Sequence, residues 1–237
     1  MWSWYSFTMC GRYTVSGPED ILRELLDYEE CPSAATRYNV APSQFAPVVV
    51  VHEEQRRSVV EMRWGLIPNW AEEPTIGQRL INARAETVGG KKAFRDSLRC
   101  RRCVVAADGF YEWRKVPGGK QAYFSRLKSG TPFGFAGLWD RWCGLQGQTL
   151  ETFTILTTVA NELLEPIHSR MPVILGKEQR EAWLSPGTDV HRLSALCESY
   201  PAVHMETFPV SDYVNDPAHD SPRCMQAVPL ASWSTLF

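Results

Sequence analysis

Short apolar runs, broken at close intervals by Gly, Pro and polar clusters, predict a chain built mostly from short strands. Residues 12–15 read as an opening strand. Ser16-Gly17-Pro18-Glu19-Asp20 predicts a helix running to Leu26, with Ser16 as cap and acids near its positive end. Residues 48–52 and 58–63 read as strands flanking the polar turn 53–57. Trp64-Gly65-Leu66-Ile67-Pro68-Asn69-Trp70 is punctuated as a loop. Residues 86–97 predict a short helix interrupted by Gly89-Gly90. Strands follow at 102–106, 109–115, 122–127, 133–138 and 153–158, with a turn at Pro117-Gly118-Gly119. Helices are expected at 161–164, 177–184 and 190–200. The class this implies is α+β, with interleaved strands and peripheral helices.

Composition changes this picture little. The 237 residues leave room for one large domain or two small ones. No composition break or repeat marks a boundary, so a single domain at 10–237 behind a leader at 1–9 is expected. A net charge of −2 argues against a globally basic nucleic-acid binder, so any such site is local. Seven scattered cysteines do not form a small disulfide framework, and a reducing cytoplasm is the expected location. No apolar run reaches the length of about 18 residues that a membrane helix needs. The leader Met1-Trp2-Ser3-Trp4-Tyr5-Ser6-Phe7-Thr8 lacks the basic start and cleavage site of a signal peptide.

Chemistry concentrates first at Met9-Cys10-Gly11-Arg12-Tyr13. If Met9 is removed, Cys10 carries an α-amine and a thiol on one two-carbon frame. Their reference pKa values of about 8 and about 8.5 leave both partly reactive near neutrality. Such a 1,2-aminothiol condenses with an aldehyde to an imine and then closes a thiazolidine ring. The competing reading is a small buried cysteine at the start of a strand. Asn82, Arg84 and Glu86 alternate on an extended segment and share one face, or else form a solvated face with an Arg–Glu pair. Glu112 lies between Tyr111 and Trp113, where desolvation would raise its pKa toward that of a general acid–base, unless the strand turns it to solvent. His168 sits in a loop bounded by Pro166 and Pro172, positioned or merely solvated.

Cys100-x-x-Cys103 has no second pair or histidine partner at zinc spacing, and no nucleotide or cofactor motif is present, so neither metal nor cofactor is expected. Lys91, Lys92, Arg95, Arg99, Arg101 and Arg102 crowd a short stretch, with Trp64 and Trp70 upstream. That mixture suits single-stranded nucleic acid or, alternatively, a solvated helix face.

Taken in order, these segments resemble the SRAP (SOS response-associated peptidase) family. The motifs are Met9-Cys10-Gly11-Arg12-Tyr13, Tyr38-Asn39-Val40-Ala41-Pro42, Trp64-Gly65-Leu66-Ile67-Pro68, Asn82-Ala83-Arg84-Ala85-Glu86-Thr87, and Asp108-Gly109-Phe110-Tyr111-Glu112-Trp113. They continue through Ala136-Gly137-Leu138-Trp139, Thr157-Thr158-Val159-Ala160-Asn161, Ile167-His168-Ser169-Arg170-Met171-Pro172 and Val214-Asn215-Asp216-Pro217. The resemblance implies a β-barrel-like core of mostly antiparallel strands. It implies a sensor of abasic sites in single-stranded DNA, acting as a monomer, that forms a covalent thiazolidine crosslink through an N-terminal cysteine. Cys10, Asn82, Glu112 and His168 match the family's catalytic positions. Arg12 and Arg84 match phosphate-holding arginines, and Pro42 and Trp70 are further DNA-contact candidates. The chain departs from the family in its leader, since most members have the initiator methionine directly before this cysteine. Two alternatives stand beside crosslinking: a cysteine autopeptidase that releases its own leader, and a non-catalytic single-stranded DNA-binding module.

Overall fold

The computed structural model describes residues 10–17, 19, 35–51, 56–145 and 147–229. Its strands are β1 (Arg12–Val15), β2 (Arg37–Val40), β3 (Phe45–Val51), β4 (Arg57–Trp64), β5 (Asn82–Arg84), β6 (Arg102–Ala107) and β7 (Gly109–Val116). They continue as β8 (Gly119–Leu127), β9 (Phe133–Cys143), β10 (Thr149–Val159), β11 (Arg170–Pro172), β12 (Ile174–Leu175) and β13 (Met205–Pro209). Among the described residues the α-helices with given bounds are α1 (Arg95–Cys100), α2 (Lys177–Leu184) and α3 (Val190–Ala195).

The strands form two sheets. Five follow the order β13-β8-β7-β1-β2, and eight follow β11-β10-β4-β3-β6-β9-β12 with β5 added against β10. Because β10 also pairs with β9, strands β4, β3, β6, β9 and β10 close into a ring. Most pairings are antiparallel; β10 meets β4 and β5 in parallel. Closure removes two open edges from the core of the fold. The runs Val48-Val49-Val50 and Cys103-Val104-Val105-Ala106-Ala107 are buried throughout, as strands covered on both faces must be.

Aromatic residues fill the interior between the sheets. Tyr13 meets Trp64 and Phe135 edge-on at centroid distances of 5.2 and 5.9 Å, and Trp64 stacks on Phe153 at 6.2 Å. Both fully buried indoles find acceptors: Trp64 Nε1 donates to the Ile81 carbonyl at 2.8 Å and Trp183 Nε1 to the Cys103 carbonyl at 3.0 Å. Gly65 follows Trp64 at φ +120°, and a side chain there would stand 2.6 Å from the Gly77 carbonyl. Only glycine permits that turn and that approach.

The predicted loop at 64–70 and the helix at 177–184 are observed, and each central strand lies where the pattern placed it. Three helices differ. Residues 86–97 form a turn and a single 3-10 turn, Val88–Gly90, with the helix delayed to Arg95. The two glycines disfavour a helix, as their cost relative to alanine requires. Residues 161–164 form turns: Asn161 Oδ1 accepts the Leu164 N–H at 3.1 Å, a local bond that competes with helix, and Pro166 follows. The helix at 190–200 stops at Ala195, where the Cys197 thiol donates to the Leu193 carbonyl that a helical turn would use. The helix expected from Ser16 to Leu26 lies outside the described residues over most of its length.

Candidate functional site

The site begins at Cys10, two residues before the first strand. Antiparallel pairing aligns Arg12 with Tyr111, Tyr13 with Phe110 and Thr14 with Gly109. That register carries Cys10 to the side of Glu112, and the Cys10 backbone nitrogen donates to Glu112 Oε1 at 2.7 Å. Gly109 makes the register possible, since a side chain there would strike the Phe124 ring at 2.1 Å. From the other sheet, β5 brings Asn82 to the same place: its Nδ2 donates to the Cys10 carbonyl at 3.4 Å. Strands distant in sequence thus join Cys10, Asn82 and Glu112, three of the four expected catalytic residues.

Burial governs the electrostatics. Cys10 is 0% exposed and Glu112 2% exposed. Desolvation pushes the Glu112 carboxyl up to about 8, outweighing the downward pull of the Cys10 and Trp113 backbone N–H groups. Burial, and then the neighbouring Glu112, hold the Cys10 thiol well above its ordinary value. Near neutrality the resting site is therefore an uncharged acid beside an uncharged thiol. Cys10 also has φ +36°, a left-handed conformation that non-glycine residues seldom adopt.

His168 is placed differently. It is half-buried before β11, and its Nδ1 accepts the Arg170 backbone N–H at 3.1 Å. Nδ1 also stands 3.3 Å from the Arg170 carbonyl oxygen, so the same backbone groups accommodate either tautomer of the ring. Desolvation is the main cause that holds its pKa below the ordinary histidine value, with the Arg170 and Lys120 charges adding to it. Among the described residues no hydrogen bond joins His168 to Cys10 or Glu112, so its part in the site needs substrate between them.

The DNA-contact candidates divide. Arg84 is exposed on β5, two residues from Asn82 and on the same face. Pro42 is partly exposed in a tight turn whose next residue, Ser43, has φ +71°. Trp70 is 43% exposed, with Lys92 Nζ 4.4 Å from its ring centroid. Arg12, expected at a phosphate, is instead 7% exposed. It lies on the face of the five-stranded sheet away from Glu112, where Nη1 donates to the Val214 carbonyl at 2.8 Å. The basic stretch is likewise not one surface. Arg102 is buried, donating to the Trp183, Leu98, Arg99 and Ser185 carbonyls, and Arg101 pairs with Asp140 at 3.1 Å. Glu86 pairs not with Arg84 but with Arg170. Cys100 is exposed and Cys103 buried, so this pair shares no site.

Sequence reading passed over Asn39, Trp113, Arg170 and Asn215 as chemistry. Each stood within a quoted motif, but a buried amide or an indole donor has no periodic signal.

A protein-family model described as SOS response associated peptidase (SRAP) matches residues 9–217. The chain belongs to the SRAP family. Among similar proteins, abasic site processing protein YoqW of Bacillus subtilis is 42% identical over 224 residues, covering 92% of this chain and 100% of its own length. Abasic site processing protein HMCES of Mus musculus is 31% identical over 271 residues, covering 92% of this chain and 75% of its own. The crystal structure of a protein from Bacteroides thetaiotaomicron superposes with a TM-score of 0.83 at 27% identity, covering 93% of this chain and 100% of that one. The SRAP architecture, a ring of mostly antiparallel strands with few helices, is the one seen here. Among the described residues no helix is long and apolar enough to cross a membrane.

Proposed function

We propose that this SRAP protein recognises abasic sites in single-stranded DNA and captures their aldehyde as a thiazolidine on Cys10. The observation that carries this reading is the 2.7 Å contact between the Cys10 nitrogen and the buried Glu112 carboxyl. The naming of both YoqW and HMCES as abasic site processing proteins supports it.

In a chain beginning at Cys10 that nitrogen is an α-amine beside a group able to take and return its protons. His168, half-buried beside the site, serves the opening of the sugar hemiacetal to the aldehyde as a proton carrier. The amine adds to the aldehyde carbon, and Glu112 protonates the carbinolamine hydroxyl so that water leaves and an imine forms. The Cys10 thiol then adds across the C=N bond, sulfur to carbon and proton to nitrogen, and the five-membered ring closes. Asn82, fixed on the Cys10 carbonyl, orients the residue without adding charge. Holding amine, thiol and aldehyde in one pocket removes much of the entropic barrier. Ring closure also removes the imine through which the strand would otherwise be cleaved.

DNA is held by Arg84 on phosphate, with Pro42 and Trp70 at the base edges. Single strands are preferred because the aldehyde must leave the stack to reach a buried pocket. The protein acts as a monomer, without metal or cofactor.

A second activity fits the same geometry. In the uncut chain, the Cys10 thiol attacks the Met9 carbonyl, and Glu112, protonated near neutrality, delivers a proton to the departing Cys10 nitrogen. Water then releases the leader from sulfur, and the amine is free. Autoproteolysis and crosslinking are successive uses of one site.

The test is incubation with an abasic-site oligonucleotide, resolved under denaturing conditions. The unsubstituted protein is expected to give a denaturant-stable band, and Cys10→Ala to lose it while keeping weak DNA binding. A band of equal strength from Cys10→Ala overturns the mechanism.

A further inference from the structure

A nucleophile that is the first residue of its chain has a mechanical difficulty, because chain ends fray unless they are tied down. Without Met9, Cys10 is held from one side only. Behind it β1 is four residues long, and its ladder to β7 begins at Arg12, two residues past the reacting nitrogen. Arg12 is also where a side chain takes over from the ladder. Its Nη1 donates to the Val214 carbonyl at 2.8 Å and to Asn39 Oδ1 at 3.2 Å, and its Nη2 to the Asn215 carbonyl at 3.3 Å.

Those carbonyls are themselves pinned. Asn39, fully buried on β2, shares the two hydrogens of its amide among the carbonyls of Val214 at 3.2 Å, Asp216 at 3.0 Å and His219 at 2.8 Å. The Trp113 indole donates to Asn215 Oδ1 at 2.8 Å, and its ring lies 6.0 Å from the Arg12 guanidinium. The Asp220 carboxylate accepts the backbone N–H groups of Tyr38 and Asn39. One segment near the C-terminus is thus laced to β2, and β1, whose ladders to β2 and β7 start at Tyr13 and Arg12, meets that segment through the Arg12 guanidinium.

We infer that residues 212–220, locked by Asn39, form a clasp that grips β1 through Arg12 and so holds the Cys10 amine on Glu112. Asn39 is then a positioning residue, acting through Arg12. The anchoring stands on the contacts alone; its consequence for crosslinking rests on the function proposed above. This role also differs from a phosphate contact, which would need Arg12 on the open surface.

Hydrogen exchange read by mass spectrometry tests the clasp on the full chain. In Asn39→Ala and Arg12→Ala, amides of residues 10–15 are expected to exchange about tenfold faster or more, while β9 and β10 keep their protection. Asn39→Asp keeps the acceptor for Arg12 but loses the amide donors, and should show the same local effect. Where a variant loses protection everywhere, Trp113→Phe decides, since it removes only the indole bond to Asn215. Unchanged exchange at residues 10–15 in the folded variants overturns the clasp.

The reaction is then followed in the same variants once intact mass shows Cys10 at the N-terminus. The crosslinking rate at saturating DNA should fall about tenfold, with affinity for an undamaged strand and its salt dependence unchanged. An unchanged saturating rate, with weaker binding and a salt slope smaller by about one, would instead make Arg12 a phosphate contact and overturn the positioning role. If the unsubstituted protein forms no crosslink while the exchange result holds, the function proposed above fails and the clasp stands.

Discussion

In the proposed reaction Glu112 serves the chemistry at the expense of the fold. Its neutral form is favoured by burial, so the folded chain holds that proton up to about pH 8, whereas an exposed carboxyl releases it near 4.5. The sign follows directly. Stability associated with this group is fully present below about pH 4.5 and is lost as pH rises through about 8. Glutamine keeps the shape and has no charge to bury. Glu112→Gln is therefore expected to melt higher than the unsubstituted protein at pH 9, with the difference shrinking toward pH 5. Once Cys10 is the N-terminus it should also crosslink about 10²-fold more slowly near neutral pH, the usual size of a lost proton-transfer group. Thermal melts across pH check the first statement and single-turnover gels the second. A melting difference that does not grow with pH would mean that Glu112 is not buried as a neutral acid. In a chain that begins at Cys10, an ammonium group in this position would pull the carboxyl back down. The two would then exchange one proton, as an acid–base pair must.

At the scale of elements, what could be read from sequence was what carries a period or a break. The two-face-buried valine run of β3, the alternation around Glu112 on β7 and the glycine stop after Trp64 were all legible. β2, β11, β12 and β13 were not read as strands, because two to five residues contain too little of a period to distinguish a strand from a loop. The site divides in the same way. Cys10, Asn82 and Glu112 stood out by residue type, and the pairing of β1 with β7 and β5 with β10 is what joins them. An arginine near a nucleophile reads as a cation for substrate, and only tertiary contacts reveal that Arg12 is buried and bonded to the Val214 and Asn215 carbonyls. Arg84 is presented outward by β5 beside Asn82, where the proposed phosphate contact can be tested. Arg84→Ala should weaken binding of single-stranded DNA about equally for all base sequences and reduce the salt slope by about one. Titrations at several salt concentrations check this, and an unchanged slope would remove Arg84 from the DNA path.

At the scale of the whole molecule, the proposed chemistry requires a buried internal residue to become a chain terminus. While Met9 is attached, the nitrogen that meets Glu112 is an amide and cannot form an imine, however well Asn82, Glu112 and His168 are placed. Cys10 itself is held at φ +36° about its N–Cα bond, a conformation that raises the energy of a non-glycine residue by about 1–2 kcal/mol. Under the proposed cleavage that torsion would no longer exist, and its strain would be released. A chain starting at Met1 is therefore expected to be inert toward abasic DNA until residues 1–9 are removed, whether by its own thiol or by another protease. A chain starting at Met9 should react at once after methionine is trimmed. Intact-mass spectrometry of the two forms, read beside their crosslinking rates, tests this. If the Met1 form loses its leader during incubation, Glu112→Gln should slow that loss, because the departing nitrogen then lacks its proton donor. If the Met1 form crosslinks with its leader still attached, the free amine of Cys10 is not the nucleophile.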